Sequence, residues 1–207
     1  GSGLLVHGYD ASKRAVWSNA DTGASMYVWG RSLGWYLMGL VDSLEVLSAS
    51  GGDTAVEESK AVSAAHTWLI QHFQALTKAV IDAVDRETGA WWQVLDHPGR
   101  DGNYVESSGS AMFVYCLLKG VRMGYLNGTA SEIGTGIGKT RGDDKGSNCE
   151  YEKVAKRAYE YLVDTFIVDN GNGTLGWNGT VGVCSLNSSA TYEVCSLTSP
   201  YICSLES

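Results

Sequence analysis

The sequence predicts an all-α fold: an array of helical hairpins forming part of a closed ring around a cleft. Three observations predict it. Apolar residues recur at three- and four-residue steps in four separate segments, the period of helices with one buried face. A loop signature repeats, with Asp21-Thr22-Gly23 followed by Trp29, Asp85-Arg86-Glu87-Thr88-Gly89 followed by Trp91-Trp92, and a looser copy from Asp169 through Gly173-Thr174 to Trp177. Third, 207 residues at 44% hydrophobic and 18% charged are enough to bury one core. An α-solenoid has the same period, but its loops need not carry tryptophan. A ring of hairpins with tryptophans on one rim explains both features. Two helix pairs cannot close such a ring, so the chain is expected to be part of its domain.

Each element follows from its residues. Leu33, Leu37, Leu40, Leu44 and Leu47 place a helix over about Arg31 to Leu47, with Gly51-Gly52 ending it. Asp53 or Thr54 caps a second helix of roughly 28 residues, whose stripe is Val62, Leu69, Phe73, Leu76, Val80 and Val84. A third, near Val105 to Tyr125, is apolar almost all round from Ala111 to Leu118, as an inner helix should be. The fourth, Glu150 to Phe166, is charged on one side and presents Val154, Ala158, Leu162 and Phe166 on the other. Residues 128–148 read as a flexible surface insertion, and residues 190–207 as a divergent tail.

Composition excludes several function classes. A net charge of −8 opposes nucleic acid and anionic membrane as partners. No apolar run reaches the roughly 18–20 residues of a bilayer span. The five cysteines form no CxxC pair, so no metal or redox cofactor is expected. Gly134-Thr135-Gly136-Ile137-Gly138-Lys139-Thr140 resembles a phosphate loop, but Ile133 stands where its first glycine belongs. No Gly-x-Ser-x-Gly turn supports a serine hydrolase. Cysteines concentrate in the last 60 residues, beside glycosylation acceptors at Asn172, Asn178 and Asn187, with Asn127 just upstream; this predicts a secreted, extracellular protein. The chain opens Gly1-Ser2-Gly3-Leu4 rather than with a basic-then-apolar leader, so a leader is expected either to have been removed or to lie upstream of this start.

The densest polar and aromatic cluster is Leu5-Val6-His7-Gly8-Tyr9-Asp10, then Trp17, then Tyr27 to Tyr36. Arg31 and Trp35 are four apart and share a helix face, with Arg31 near the helix start. A cation there opposes the helix dipole unless an anion lies between them, which points to a carboxylate-binding arginine flanked by indoles. The alternative is an Arg31 paired with a neighbouring Asp, with Trp29 and Trp35 filling core space. His7 reads as a ligand-binding or proton-transfer group, or as a structural donor in a loop. Asp10 reads as the cap of a turn before Ser12 and Lys13. Glu106 reads as an acid or, preferably, as a favourable charge in a first helical turn.

Together, His7-Gly8-Tyr9-Asp10, Trp29-Gly30-Arg31-Ser32-Leu33-Gly34-Trp35, Gln93-Val94 through Pro98-Gly99-Arg100, Asn103-Tyr104, Glu106 and Ser110-Ala111-Met112-Phe113 resemble glycoside hydrolase family 105. These are the unsaturated rhamnogalacturonyl hydrolases, related to the unsaturated glucuronyl hydrolases of family 88. The resemblance runs in register to about Tyr125 and more loosely to Asn187. It implies about the later half of an (α/α)6 barrel, the six-hairpin glycosidase fold. It also implies hydrolysis of the unsaturated galacturonyl or glucuronyl residue that pectin lyases leave at the non-reducing end of their products.

In that family an aspartic acid protonates C4 of the C4=C5 double bond, water adds at C5, and the hemiketal opens to expel the next sugar. No covalent glycosyl intermediate is needed, so the usual two-carboxylate spacing does not apply. By resemblance Arg31 is the carboxylate clamp, His7 and Trp35 line the pocket, and Trp29 stands beside them. The family's catalytic aspartate precedes its His-Gly motif, which here begins at residue 7. The general acid is therefore expected upstream of residue 1, and neither Asp10 nor Glu106 is assigned to replace it. The chain alone is expected to be inactive, its partner being an unsaturated uronate-containing oligosaccharide. The competing expectations are a non-catalytic carbohydrate-binding fragment and a helical scaffold.

Overall fold

Four helices form in the four periodic segments: α1 (Gly30–Ala49), α2 (Val56–Asp82), α3 (Ser107–Arg122) and α4 (Glu150–Phe166), followed by a hairpin of β1 (Ile167–Asp169) and β2 (Leu175–Trp177). The structure, a computed structural model, describes residues 1–49, 56–126 and 149–181. The glycine pair after α1, the caps proposed for α2, the 128–148 insertion with its phosphate-loop look-alike, and the tail from residue 190 lie outside the described residues.

The core draws on the predicted stripes and adds Val41, Tyr151 and Ala155, while Val154 and Phe166 are only partly buried. Leu37, Leu40, Val41 and Leu44 of α1 bury against Phe73, Leu76 and Val80 of α2, and against Phe113, Cys116 and Leu117 of α3. Tyr151, Ala155, Ala158 and Leu162 of α4 complete the cluster. Helix α3 packs on both α1 and α4, and α1 also packs on α2. Lys119 fastens α3 to α1: its side chain is 7% exposed, and its ammonium pairs with Asp42 at 2.7 Å and Glu45 at 2.5 Å. Tyr115 donates to the same Asp42 carboxylate at 3.0 Å. A buried ammonium is tolerated because both carboxylates neutralise it, and they raise its pKa.

The repeated loops share a register that begins at a capping side chain. Asn19 Oδ1 accepts from the backbone N–H groups of Asp21 and Thr22, while Asp85 Oδ2 accepts from the N–H and hydroxyl of Thr88. Thr22 and Thr88 then receive the N–H of Ala24 and Ala90, each at 3.2 Å. Gly23 and Gly89 sit between at φ 80° and 79°, a conformation that excludes most side chains. The aligned unit is thus Asn/Asp-x-x-Thr-Gly-Ala, and Asn19 rather than Asp21 fills the position of Asp85.

Three expectations are corrected. Helix α3 is shorter at both ends than Val105–Tyr125, because Glu106 caps it and Gly124, at φ 74°, ends it. The third loop copy turns the β1–β2 hairpin instead of joining helices; Asn170 and Asn172 tie down Thr174 there. The tryptophans do not share one rim, since Trp91 is 1% exposed, packs edge-on to Phe113 at 5.2 Å and donates to the Val80 carbonyl at 2.8 Å.

Candidate functional site

The segment Trp91 to Asp96 holds the starts of α1 and α3 side by side. On one flank Leu95 N–H donates to the Val28 carbonyl at 2.9 Å, Gly30 N–H donates to Gln93 at 2.8 Å, and the Asp96 carboxylate accepts from Val28 N–H. On the other, Gln93 N–H donates to Tyr104 and Glu106 N–H donates to Trp91. Gly30 eases this close approach, because a Cβ would sit 3.1 Å from the Trp92 carbonyl oxygen. The aromatic and basic cluster therefore gathers at the N-terminal end of the two helices.

Residues 7–10 are pinned to the first loop: Ser25 N–H donates to the Gly8 carbonyl, and Asp10 N–H donates to Gly23. This delivers His7 onto Trp29, with ring centroids 4.7 Å apart and planes at 33°. His7 Nδ1 lies 3.2 Å from Ser25 Oγ, whereas Nε2 is buried with no hydrogen-bond partner among the described residues. Burial lowers its pKa, opposed by a hydrogen bond to the Tyr27 backbone, so the imidazole is neutral at neutral pH.

Arg31 is the second residue of α1 and is half-buried. Its Nη1 donates to the backbone carbonyl of Val181 at 2.6 Å. The oxygen end of that peptide dipole faces the guanidinium where the helix dipole is unfavourable to a cation. One turn further along α1, Trp35 is 61% exposed, so its indole is not core filling. Trp29 is half-buried against His7. The structure thus brings His7, Trp29, Arg31 and Trp35 to one end of α1.

Glu106 takes a role the sequence only partly announces. It is 1% exposed, and its carboxylate accepts from the backbone N–H of Ser108, the Ser108 hydroxyl, Gly109 N–H and Val181 N–H. Val181 has no polar side chain for the sequence to mark; its backbone N–H and carbonyl make both bonds. Ser107 binds the same segment, with its hydroxyl 2.7 Å from the Asn178 carbonyl and its N–H donating to Gly179. Asp10, by contrast, does what its sequence context predicts: it accepts from the backbone N–H groups of Ser12, Arg14 and Ala15.

No group of three or more His, Cys, Asp or Glu among the described residues is placed to hold a metal. A shallow depression of about 580 Å³ lies on α2, lined by Lys60, Ser63, Ala64, Thr67, Trp68 and Gln71, and includes none of the residues above.

Four helices, α1 packed on α2 and α3 and α3 packed on α4, with a basic and aromatic cluster at one end, define a segment of a six-hairpin glycosidase. The chain belongs to Glycosyl Hydrolase Family 88, whose profile matches residues 1–133. A protein of Agrobacterium fabrum and one of Rhizobium radiobacter, the latter described as a 24.9 kDa protein in the picA locus, are each 39% identical over 137 residues, covering 66% of this chain and 53% of theirs. A solved Family 105 glycoside hydrolase from C. acetobutylicum ATCC 824 superposes with a TM-score of 0.71 at 34% identity, covering 97% of this chain and 47% of that one. A possible Family 105 member from Salmonella enterica serovar Paratyphi A gives 0.59 at 24% identity, over 90% and 37% respectively, a likeness of fold. The chain spans about half the length of the relatives it matches.

Proposed function

We propose that this chain supplies the sugar-binding wall of an enzyme that hydrolyses unsaturated galacturonyl or glucuronyl residues at the non-reducing end of pectin lyase products. Arg31 clamps the uronate carboxylate, Trp35 and Trp29 flank the ring, and His7 Nε2, which has no partner among the described residues, finds one on the sugar. The double bond is hydrated by protonation at C4 and water addition at C5. The proton donor is an aspartate on a hairpin preceding residue 1 in the complete enzyme, which acts outside the cell. Asp10 is unsuited to that task, because its carboxylate is committed to its own turn and held at a pKa of about 2. Glu106 is equally committed, to backbone N–H groups.

The observation that carries this reading is the guanidinium at the start of α1 with an exposed indole one turn away. Titration with an unsaturated digalacturonide, followed by calorimetry, tests it. Saturable binding is expected for the chain, weakened about tenfold or more in Arg31→Ala, in line with loss of a charge-assisted hydrogen bond. The chain alone should leave the ultraviolet absorbance of the double bond unchanged. Equal binding by Arg31→Ala, or turnover by the isolated chain that vanishes on replacing one of its own carboxylates, would overturn the proposal.

A further inference from the structure

We infer that Glu106 is a positioning residue that sets the guanidinium of Arg31 through the backbone of Val181. This rests on the reading of Arg31 given above for its functional consequence, though not for its geometry. The link is continuous. Val181 N–H donates to Glu106 Oε1 at 2.9 Å, and the carbonyl of the same residue accepts from Arg31 Nη1 at 2.6 Å. Both faces of one residue's backbone are therefore fixed, one by a buried anion and the other by the cation it orients.

The anchor itself is rigid. Glu106 is 1% exposed and binds two N–H groups of the α3 N-terminus, the strongest local site for a carboxylate. Ser107 fixes the approach to Val181 through Asn178 and Gly179, and Trp177 Nε1 donates to the Ser107 hydroxyl at 2.9 Å. Gly109 closes the arrangement from below: a Cβ there would lie 3.0 Å from Glu106 Oε2 and 3.1 Å from the Arg31 backbone nitrogen. The starts of α1 and α3 thus touch at the point where Glu106 is seated. An ordinary helix cap would need only the α3 bonds. The additional bond to a segment 75 residues away in sequence is what a cap does not require.

The test uses Glu106→Gln, which keeps the shape but offers one acceptor oxygen, and Val181→Pro, which deletes the donor and leaves Glu106 intact. The first readout needs no sugar: hydrogen exchange of the Arg31 side-chain N–H groups by ¹⁵N NMR, with the signal assigned by Arg31→Lys. Exchange should accelerate about tenfold in both variants while the circular dichroism spectrum is retained. The second is affinity for unsaturated digalacturonide, with and without Arg31→Ala. Glu106→Gln should weaken binding alone but add nothing once Arg31 is gone. Unchanged exchange, an additive loss in the Arg31→Ala background, or loss of the fold in both variants would overturn the inference. If Arg31→Ala binds normally while exchange responds as expected, the positioning stands and the uronate reading falls.

Discussion

Asp10 shows how one side chain fixes the turn that follows the His7 segment. Its two carboxylate oxygens take backbone N–H groups from Ser12, Arg14 and Ala15 as well as the Ser12 hydroxyl, and the Ala15 bond contributes most to lowering its pKa from 3.8 to about 2. A carboxyl group depressed on folding stabilises the protein above its unfolded pKa and loses that contribution as pH falls through its folded one. The Asp10 contribution should therefore be complete above about pH 4 and fade toward about pH 2. Melting temperatures across that window should show a slope that Asp10→Asn flattens, with the variant already less stable at neutral pH because an amide cannot accept at both positions. His7, also depressed, acts in the separate window below its ordinary value of 6.5, so the two are distinguishable. A parallel slope in Asp10→Asn would refute the assignment. At this scale the sequence is legible where a side chain acts on its chain neighbours, as Asp10 does. It is silent where the partner is a distant backbone group, as Val181 is for Arg31 and Glu106.

Helices are legible when their stripes are long, and their contacts depend on where side chains are missing. Helix α4 falls on the boundaries its pattern gives, Glu150 to Phe166, whereas α3 loses residues at both ends to a cap and a left-handed glycine that periodicity does not register. Two interior glycines mark close approaches. At Gly34 a Cβ would meet the Met112 side chain, 2.9 Å from its sulfur; at Gly120 it would lie 2.7 Å from the ring of Phe73 and 2.8 Å from Leu126 Cδ1. The Met112 thioether can rotate aside, but its Cβ, 3.0 Å from the same position, can yield only by a small backbone shift; at Gly120 the obstacle is the ring of a fully buried phenylalanine. Gly120→Ala is expected to lower the unfolding free energy by about 1–3 kcal/mol, net of the better helix propensity of alanine. Gly34→Ala should cost less than Gly120→Ala, because part of its crowding comes from a rotatable thioether. Denaturant titration of both variants measures this, and the reverse order would contradict the packing described.

For the whole molecule, the features that predict a ring of hairpins also predict its exposed surface. The first two copies of the loop repeat lead toward helices, whereas at Asp169 paired asparagines turn a hairpin with the same residue types. Burial of Trp91 was hidden for a related reason: adjacent tryptophans point in opposite directions, one into the core and one toward Asp85. What the helices leave outside is large. Along α1, Trp35, Gly39 and Val46 face outward, with the indole 61% and Val46 65% exposed and nothing within 4 Å of where a Gly39 side chain would begin. On α3, Tyr115 and Leu118 are 40% and 37% exposed. Monomeric proteins rarely leave apolar area of this kind contiguous beyond a few hundred Å². The isolated chain should therefore bind an environment-sensitive hydrophobic dye and sediment as concentration-dependent oligomers. Val46→Glu with Leu118→Glu should reduce both signals, because a charge on each helix opposes burial. A monomer at every concentration, with no dye response, would mean that these faces are covered within the chain itself.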